Sequence, residues 1–428
     1  MRNLTAPPPQ PTPLEEIDLF DPERFRSGSQ HAAWHTLRER APVWPETGPD
    51  GGRFWSVTRY ADVLKVIKDH RTYSSEHGTI LAVLGGDSAG GRTINLMDPP
   101  KHRSIRVPTM QLLATGAMQR HEGKVRDRVR ALLAPLADGG VHDMAGLLLP
   151  LPMIAVGDVI GVPESDWADV ARWTMSGVAP ADPAFAHGTT EETLQAAHYE
   201  LFALFHGLIR ERRARPGDDM ISMLLSVEHE GRKLSPDDVL LNCYSFVMGA
   251  NTTTPHVATH LVEAYARDPG LWRRLKAGET STRHAVEEAL RWATPTNHLL
   301  RRANTDVVIA DTPIAAGETV CAWIASANRD EAVFEDPYTF RPDRHPNPHL
   351  AFGNGIHFCN GAPAARLALP ILLEELALRV SELEVAGQVT HLYSNFINGI
   401  TGLPVSVRPA GRAPQVLASV GETGGGER

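Results

Sequence analysis

Residues 351–366 read AFGNGIHFCNGAPAAR and set one cysteine, Cys359, among Gly353, Gly355 and Gly361, just before Ala362-Pro363, a pair that suits the start of a helix. Glycines at these spacings let the backbone turn tightly and bring N–H groups toward the sulfur. The helix that follows adds a positive dipole end, which predicts a lowered thiol pKa and a stable thiolate. A lone thiolate held in this way suits an axial ligand of heme iron, where its electron donation favours O–O bond cleavage. The other two cysteines, Cys243 and Cys321, read as small buried apolar side chains. Three cysteines spread this widely permit neither a disulfide framework nor a CxxC zinc site, so a reducing, cytosolic setting is expected.

Three further groups carry chemical character. Glu288-Ala289-Leu290-Arg291 spaces an acid and a base by three, which puts both on one helix face as an ion pair. Asp98-Pro99-Pro100-Lys101-His102-Arg103-Ser104-Ile105-Arg106 opens a helix with several cationic or donor groups. Residues 245–256 read SFVMGANTTTPH. Pro255 has no N–H for the carbonyl of Asn251, so the helix should kink or open there. Threonine hydroxyls can bond back to carbonyls four residues earlier and widen the same spot.

The elements that must hold these groups are mostly helical. Apolar residues three and four apart mark helices over His31–Ala41, Ala61–His70, Gly123–Leu133 and Glu191–Arg213. Ser235-Pro236-Asp237-Asp238 starts a helix expected to run to about Arg267, and others cover Thr282–Ala293 and about Gly361–Ser381. Strand signals are short: Val43-Trp44 with Phe54–Thr58, Asp306–Ile309 and Thr319–Ile324. The apolar stretch Met144–Val162 contains Pro150, Pro152 and Asp158, which makes it a bent core helix and not a membrane span. The fold class is mainly α with small β-sheets (α+β), in one domain over residues 17–410. A flexible Pro-rich arm precedes it at 1–16, and a disordered tail follows at 411–428. The chain has 428 residues, 42% of them hydrophobic and 22% charged, which excludes global disorder. With 42 Lys and Arg against 51 Asp and Glu, the net charge of −9 argues against nucleic acid or an anionic membrane as partner.

Phe352, Gly353, Gly355, His357, Cys359 and Gly361 form F-G-x-G-x-H-x-C-x-G, and by this motif the chain resembles the cytochrome P-450 family of heme-thiolate monooxygenases, in its soluble bacterial form, over about residues 17–408. Glu288 and Arg291 match that family's E-x-x-R, and Phe340-Arg341-Pro342-Asp343-Arg344 matches its F-x-P-x-R. The resemblance implies a structural network of Glu288, Arg291 and Arg344 beneath the cysteine loop. It implies heme b with Cys359 on the iron and His102, Arg106, Arg301 and His357 on the propionates. In the oxygen-activating helix, Thr253 stands as the family's alcohol and Thr252 where an acid is expected; a register shifted by one gives Asn251 and Thr252. Neither register supplies a carboxylate. The pocket is expected to include Phe246, Ala250, Asn297, His298, Leu299 and Phe396, and the polar run Thr296-Asn297-His298 leans toward an oxygenated or amide-bearing substrate.

The activity so implied is hydroxylation or epoxidation of a small molecule by dioxygen, in bacterial specialised metabolism. Electrons would come from a separate ferredoxin and ferredoxin reductase, and a cytoplasmic monomer is expected. The missing acid keeps oxidative coupling or desaturation without oxygen insertion as an alternative. A heme sensor or electron carrier ranks below both.

Overall fold

Helices that bury their apolar stripes against one another make up close to half of the chain. The computed structural model describes residues 10–411. The helices that build the site are α1 (Tyr60–Lys68), α2 (Lys101–Leu112), α3 (Leu151–Ile160), α4 (Trp167–Val178), α5 (Thr190–Ala214), α6 (Pro236–Asn251), α7 (Thr254–Arg267), α8 (Thr282–Ala293) and α9 (Ala362–Arg379). Their shared core joins Val247, Val257 and Leu261 of the central pair α6–α7 to Leu290 of α8, Leu369 and Leu372 of α9, and Val159 of α3. The stretch expected as a bent helix divides into Met144–Leu148 and α3, and both halves enter this core.

A five-stranded sheet lies to one side. Its strands are β1 (Val43–Thr47), β2 (Arg53–Val57), β3 (Tyr73–Ser74), β4 (Leu299–Ala303) and β5 (Thr319–Ala322), in the order β1-β2-β5-β4-β3. Only β2 and β5 pair in parallel; the other pairs are antiparallel. Cys321 sits in β5 opposite Ser56 and Leu300, sealed from solvent, while Cys243 is buried in α6. Burial pushes both thiols up, as suits inert apolar side chains. Gly140–Asp143, Val380–Val385 and Pro404–Pro409 form a separate three-stranded sheet.

One element breaks where the sequence places an opening. The helix opened by Ser235, whose hydroxyl accepts the Asp238 N–H at 3.1 Å, does not run unbroken to Arg267. It stops at Asn251 and resumes at Thr254, with Thr253 out of helical geometry at φ −124° and ψ −55°. Pro255 supplies the reason, and the hydroxyls of Thr252 and Thr253 fill the gap by donating to the carbonyls of Met248 (2.8 Å) and Gly249 (2.9 Å). The arm and tail expected at 1–16 and 411–428 lie mostly outside the described residues; within them, Leu14–Glu16 form a 3₁₀ turn. Among the described residues no helix is long and apolar enough to cross a membrane.

Candidate active site

The cysteine loop is shaped by its glycines. Gly353 and Gly355 hold φ of +68° and +72°, a region that strains any residue with a Cβ. A Cβ on Gly355 would also stand 2.9 Å from the Lys68 carbonyl oxygen at the end of α1, so this loop packs backbone to backbone on that helix. The Cys359 N–H closes the turn on the Phe352 carbonyl at 2.9 Å. The sulfur lies over the start of α9, where Gly361 and Ala362 direct N–H groups at it. The lowered thiol pKa expected from that helix end is not what results. Burial pushes the Cys359 thiol up, and the two N–H groups with the charges of Arg106 and Arg366 offset only part of the loss of water.

Behind the loop stands the Glu288 network. Arg291 is fully buried and donates to both Glu288 oxygens, at 2.8 and 2.7 Å. Its remaining donors reach the carbonyls of Asn328, Pro337 and Thr339. Arg344 meets the same carboxylate at 3.1 and 3.2 Å and takes the carbonyls of Glu335, Asp336 and Thr339. The Arg341 N–H and the Asn347 amide also reach Glu288. One buried carboxylate thereby ties α8 to the 335–347 segment that leads into the cysteine loop.

In front of the loop lies a cavity of about 340 Å³. Cys359, Gly361, Ala364 and Leu369 line one side of it. Gly249, Ala250, Thr253 and Val257 line it from the break between α6 and α7, and Pro152, Ala155, Val156, Phe246, Leu299 and Phe396 add apolar wall. Arg106, Arg301 and His357 also face in, and among the described residues no carboxylate lines the cavity. Arg301 is buried and its guanidinium is pulled down to about 10 by loss of water. His102 lies against His357 with ring centroids 4.6 Å apart and planes tilted by 58°, and the Nε2 atoms of both rings are buried with no partner within hydrogen-bond distance among the described residues. Burial, then the nearby charges of His357 and Arg106, hold His102 down to about 3, so it is neutral near pH 7. The His357 Nε2 stands 4.0 Å from Asp98 Oδ1. An apolar cleft with one sulfur on its floor, two guanidiniums at its rim and two unpartnered imidazole nitrogens fits a flat apolar group that carries two carboxylates.

Other residues singled out in the sequence divide. Phe246, Ala250, Leu299 and Phe396 line the cavity, but Asn297 and His298 do not. Both are fully buried. The Asn297 amide donates to the Asn395 carbonyl at 3.1 Å. His298 Nε2 accepts the Leu81 N–H at 3.1 Å, and its ring lies against Trp323 and Phe396. They turn away because they stitch the entrance of β4 to the 395–397 turn, and they support the wall from behind. Of the three oxygen-helix candidates, Thr253 faces the cavity, while Asn251 and Thr252 are buried outside its lining. The Asn251 amide donates to the Val247 carbonyl at 3.0 Å. Two cavity residues, Asn95 and Ser245, gave no signal as a pair, because they are 150 positions apart and only the fold joins them.

The cytochrome P-450 family model matches residues 280–391, which include Glu288, Arg344 and Cys359. Over 407 residues the chain is 33% identical to cytochrome P-450 NovI of Streptomyces niveus, covering 94% of this chain and 99% of that protein. It is 30% identical to linalool 8-monooxygenase of Pseudomonas putida, covering 92% and 100%. The crystal structure of P-450 OxyD, which is involved in the biosynthesis of vancomycin-type antibiotics, matches with a TM-score of 0.83 at 32% identity, covering 92% of this chain and 100% of that one. The chain therefore belongs to the cytochrome P-450 family, and its activity is that of a monooxygenase with a heme-thiolate cofactor.

Proposed function

We propose that Cys359 binds heme b and that the protein inserts one atom of dioxygen into a small-molecule substrate of specialised metabolism, by hydroxylation or epoxidation. The observation that carries this reading is that the Cys359 sulfur and the Thr253 hydroxyl line one apolar cavity, at a helix break that the sequence builds with Pro255. When bound, heme supplies dioxygen activation, and thiolate donation to the iron favours O–O cleavage. His102, Arg106, Arg301 and His357 would hold its two carboxylates, four basic side chains with one nearby acid, Asp98, 4.0 Å from His357. The N–H groups of Gly361 and Ala362, with Arg106 and Arg366, would stabilise the Cys359 thiolate that holds the iron.

Thr253 hands protons into the cavity by turning its hydroxyl from the Gly249 carbonyl. Asn251 and Thr252 keep the break open by occupying the carbonyls behind it. With no carboxylate on the walls, the protons reach Thr253 through water and hydroxyl groups. The apolar walls exclude bulk water and take the substrate's hydrocarbon body. Electrons arrive from a separate ferredoxin and its reductase. Next to the cysteine loop, Phe358, Val107 and Met110 are exposed beside Arg103, an apolar patch with a cation that suits a small acidic protein. Reduced, unpaired cysteines support a cytoplasmic setting. The relatives support specialised metabolism, since OxyD serves antibiotic biosynthesis.

The acid-free cavity favours one second reading, substrate oxidation without oxygen insertion. Turnover under isotopically labelled dioxygen separates the two. Candidate substrates come from spin-state titration of the pure protein against a metabolite library. Label in the product is the expected result. A coupled or desaturated product without label overturns oxygen insertion.

A further inference from the structure

Three polar residues of α6, Asp238, Asn242 and Ser245, lie four and three positions apart and so share one helix face. All three grip the segment 91–95. Asp238 takes Arg92 at 2.9 Å and Lys101 at 3.5 Å, and Lys101 in turn holds the Gly91 carbonyl at 2.9 Å. Asn242, fully buried, accepts the Ile94 N–H and donates to the Arg92 carbonyl, both at 2.9 Å. Ser245 then donates to Asn95 Oδ1 at 2.8 Å. The result is an asparagine fixed at its oxygen whose Nδ2 has no hydrogen-bond partner among the described residues. Asn95 and Ser245 both line the cavity.

Between Ser245 and Thr253 the same wall carries Phe246, Gly249 and Ala250. A Cβ on Gly249 would meet nothing within 4 Å, so the space beside this stretch is open. Six residue steps of α6, from Ser245 to Asn251, span on the order of 9 Å along the axis, and Thr253 lies just past the break. Arg106 and Arg301 are assigned to the cofactor's carboxylates, Thr79, Thr254 and Thr296 offer hydroxyls, and the Asn360 amide is taken by Thr109, so among the described lining residues Asn95 is the amide whose donor is open.

We infer that Asn95 determines specificity, its fixed amide donating to an uncharged carbonyl or hydroxyl oxygen on an otherwise apolar substrate, about two helical turns from the carbon that is oxidised. This rests on the heme-thiolate reading above. Orientation of the amide by Ser245, and of its segment by Asn242 and Asp238, means that little ordering remains to be done on binding. One neutral hydrogen bond of this kind corresponds to about three- to tenfold in affinity.

Alkylimidazoles test this without knowledge of the natural substrate, because the imidazole ligates the heme iron and shifts its absorbance. The holoenzyme is titrated with a series of graded chain length, each paired with the analogue that ends in a methyl ketone. At one range of lengths the ketone is expected to bind three- to tenfold more tightly. Asn95→Leu brings that ratio to about one and leaves the plain alkylimidazoles within about twofold, and Ser245→Ala gives an intermediate ratio. Should Asn95→Leu fail to fold, Asn95→Asp replaces the donor by an acceptor and must abolish the preference. Equal affinity at every length, or a preference that survives the Asn95 variants, overturns the assignment. An absent shift with every probe overturns the heme-thiolate reading as well, so the two failures are distinguishable.

Discussion

The Glu288 network and the rim of the cavity are made from the same residue types, arginines and buried polar groups, but they dispose of their hydrogen bonds in opposite ways. Every donor nitrogen of Arg291 has a protein acceptor, and Glu288 receives two arginines, a backbone N–H and an amide. At the rim, His102 Nε2 has no partner among the described residues and His357 Nε2 has only Asp98 at 4.0 Å, while Arg106 and Arg301 each reach one backbone carbonyl, of Phe358 and of Leu300, with no acid among the described residues of the cavity wall. A buried polar group without a partner is costly, so it persists where a ligand completes it. The first region is therefore scaffold, and the second is built for something the chain does not itself contain.

That contrast breaks most visibly at Glu288. Glu288→Ala leaves Arg291 and Arg344 buried without their carboxylate, at a cost of about 3–5 kcal/mol. The expected outcome is a large drop in the urea midpoint and in soluble yield; wild-type stability would mean that the network is not scaffold. Acid titration comes next. His256 and His298 are buried and held down to about 3, first by loss of water, whereas the unfolded chain binds those protons near pH 6.5. Stability is thus full above that pH and falls as pH drops from there toward 3, by up to about 1.4 kcal/mol per unit per histidine. Glu263 and Glu287, lowered to about 2 by His260 and Arg366 respectively despite burial, hold their stabilisation above about 4.5 and lose it as pH falls toward 2. Urea midpoints between pH 8 and pH 4 check the sign; a midpoint that rises on acidification contradicts it.

Thr253→Ala tests the other side of the comparison, chemistry without stability. Product per electron should fall about tenfold with a matching rise in peroxide, while the urea midpoint barely moves. Thr252→Ala, whose hydroxyl is buried behind the break, should change coupling far less. The reverse order would install the shifted register. The smallest effect belongs to the exposed pair Arg408–Glu382, where Arg408→Ala should shift stability by less than about 0.5 kcal/mol in a urea titration.

What could be read from sequence divides along a similar line. The cysteine loop, the Glu288 pairing and the opening at Pro255 were legible because each is local, written in glycines, a spacing of three or a missing N–H. Helix positions came through for the same reason. Which way a side chain points where a strand begins was not legible: Asn297 and His298 look like pocket residues in the run Thr296-Asn297-His298, and only the contact with the 395–397 turn shows them facing away. Nor was the thiol's pKa, since the sequence displays the helix end but not the burial that opposes it. The Asn95–Ser245 pair was hidden because its partners meet only through the fold.

The most direct test of the central claim is the absorption spectrum of the reduced, carbon-monoxide-bound protein, recorded for the wild type and for Cys359→Ala at matched heme content. The spectrum characteristic of thiolate-bound heme is expected in the wild type and absent from the variant. A Cys359→Ala protein that retains the wild-type spectrum would contradict the account.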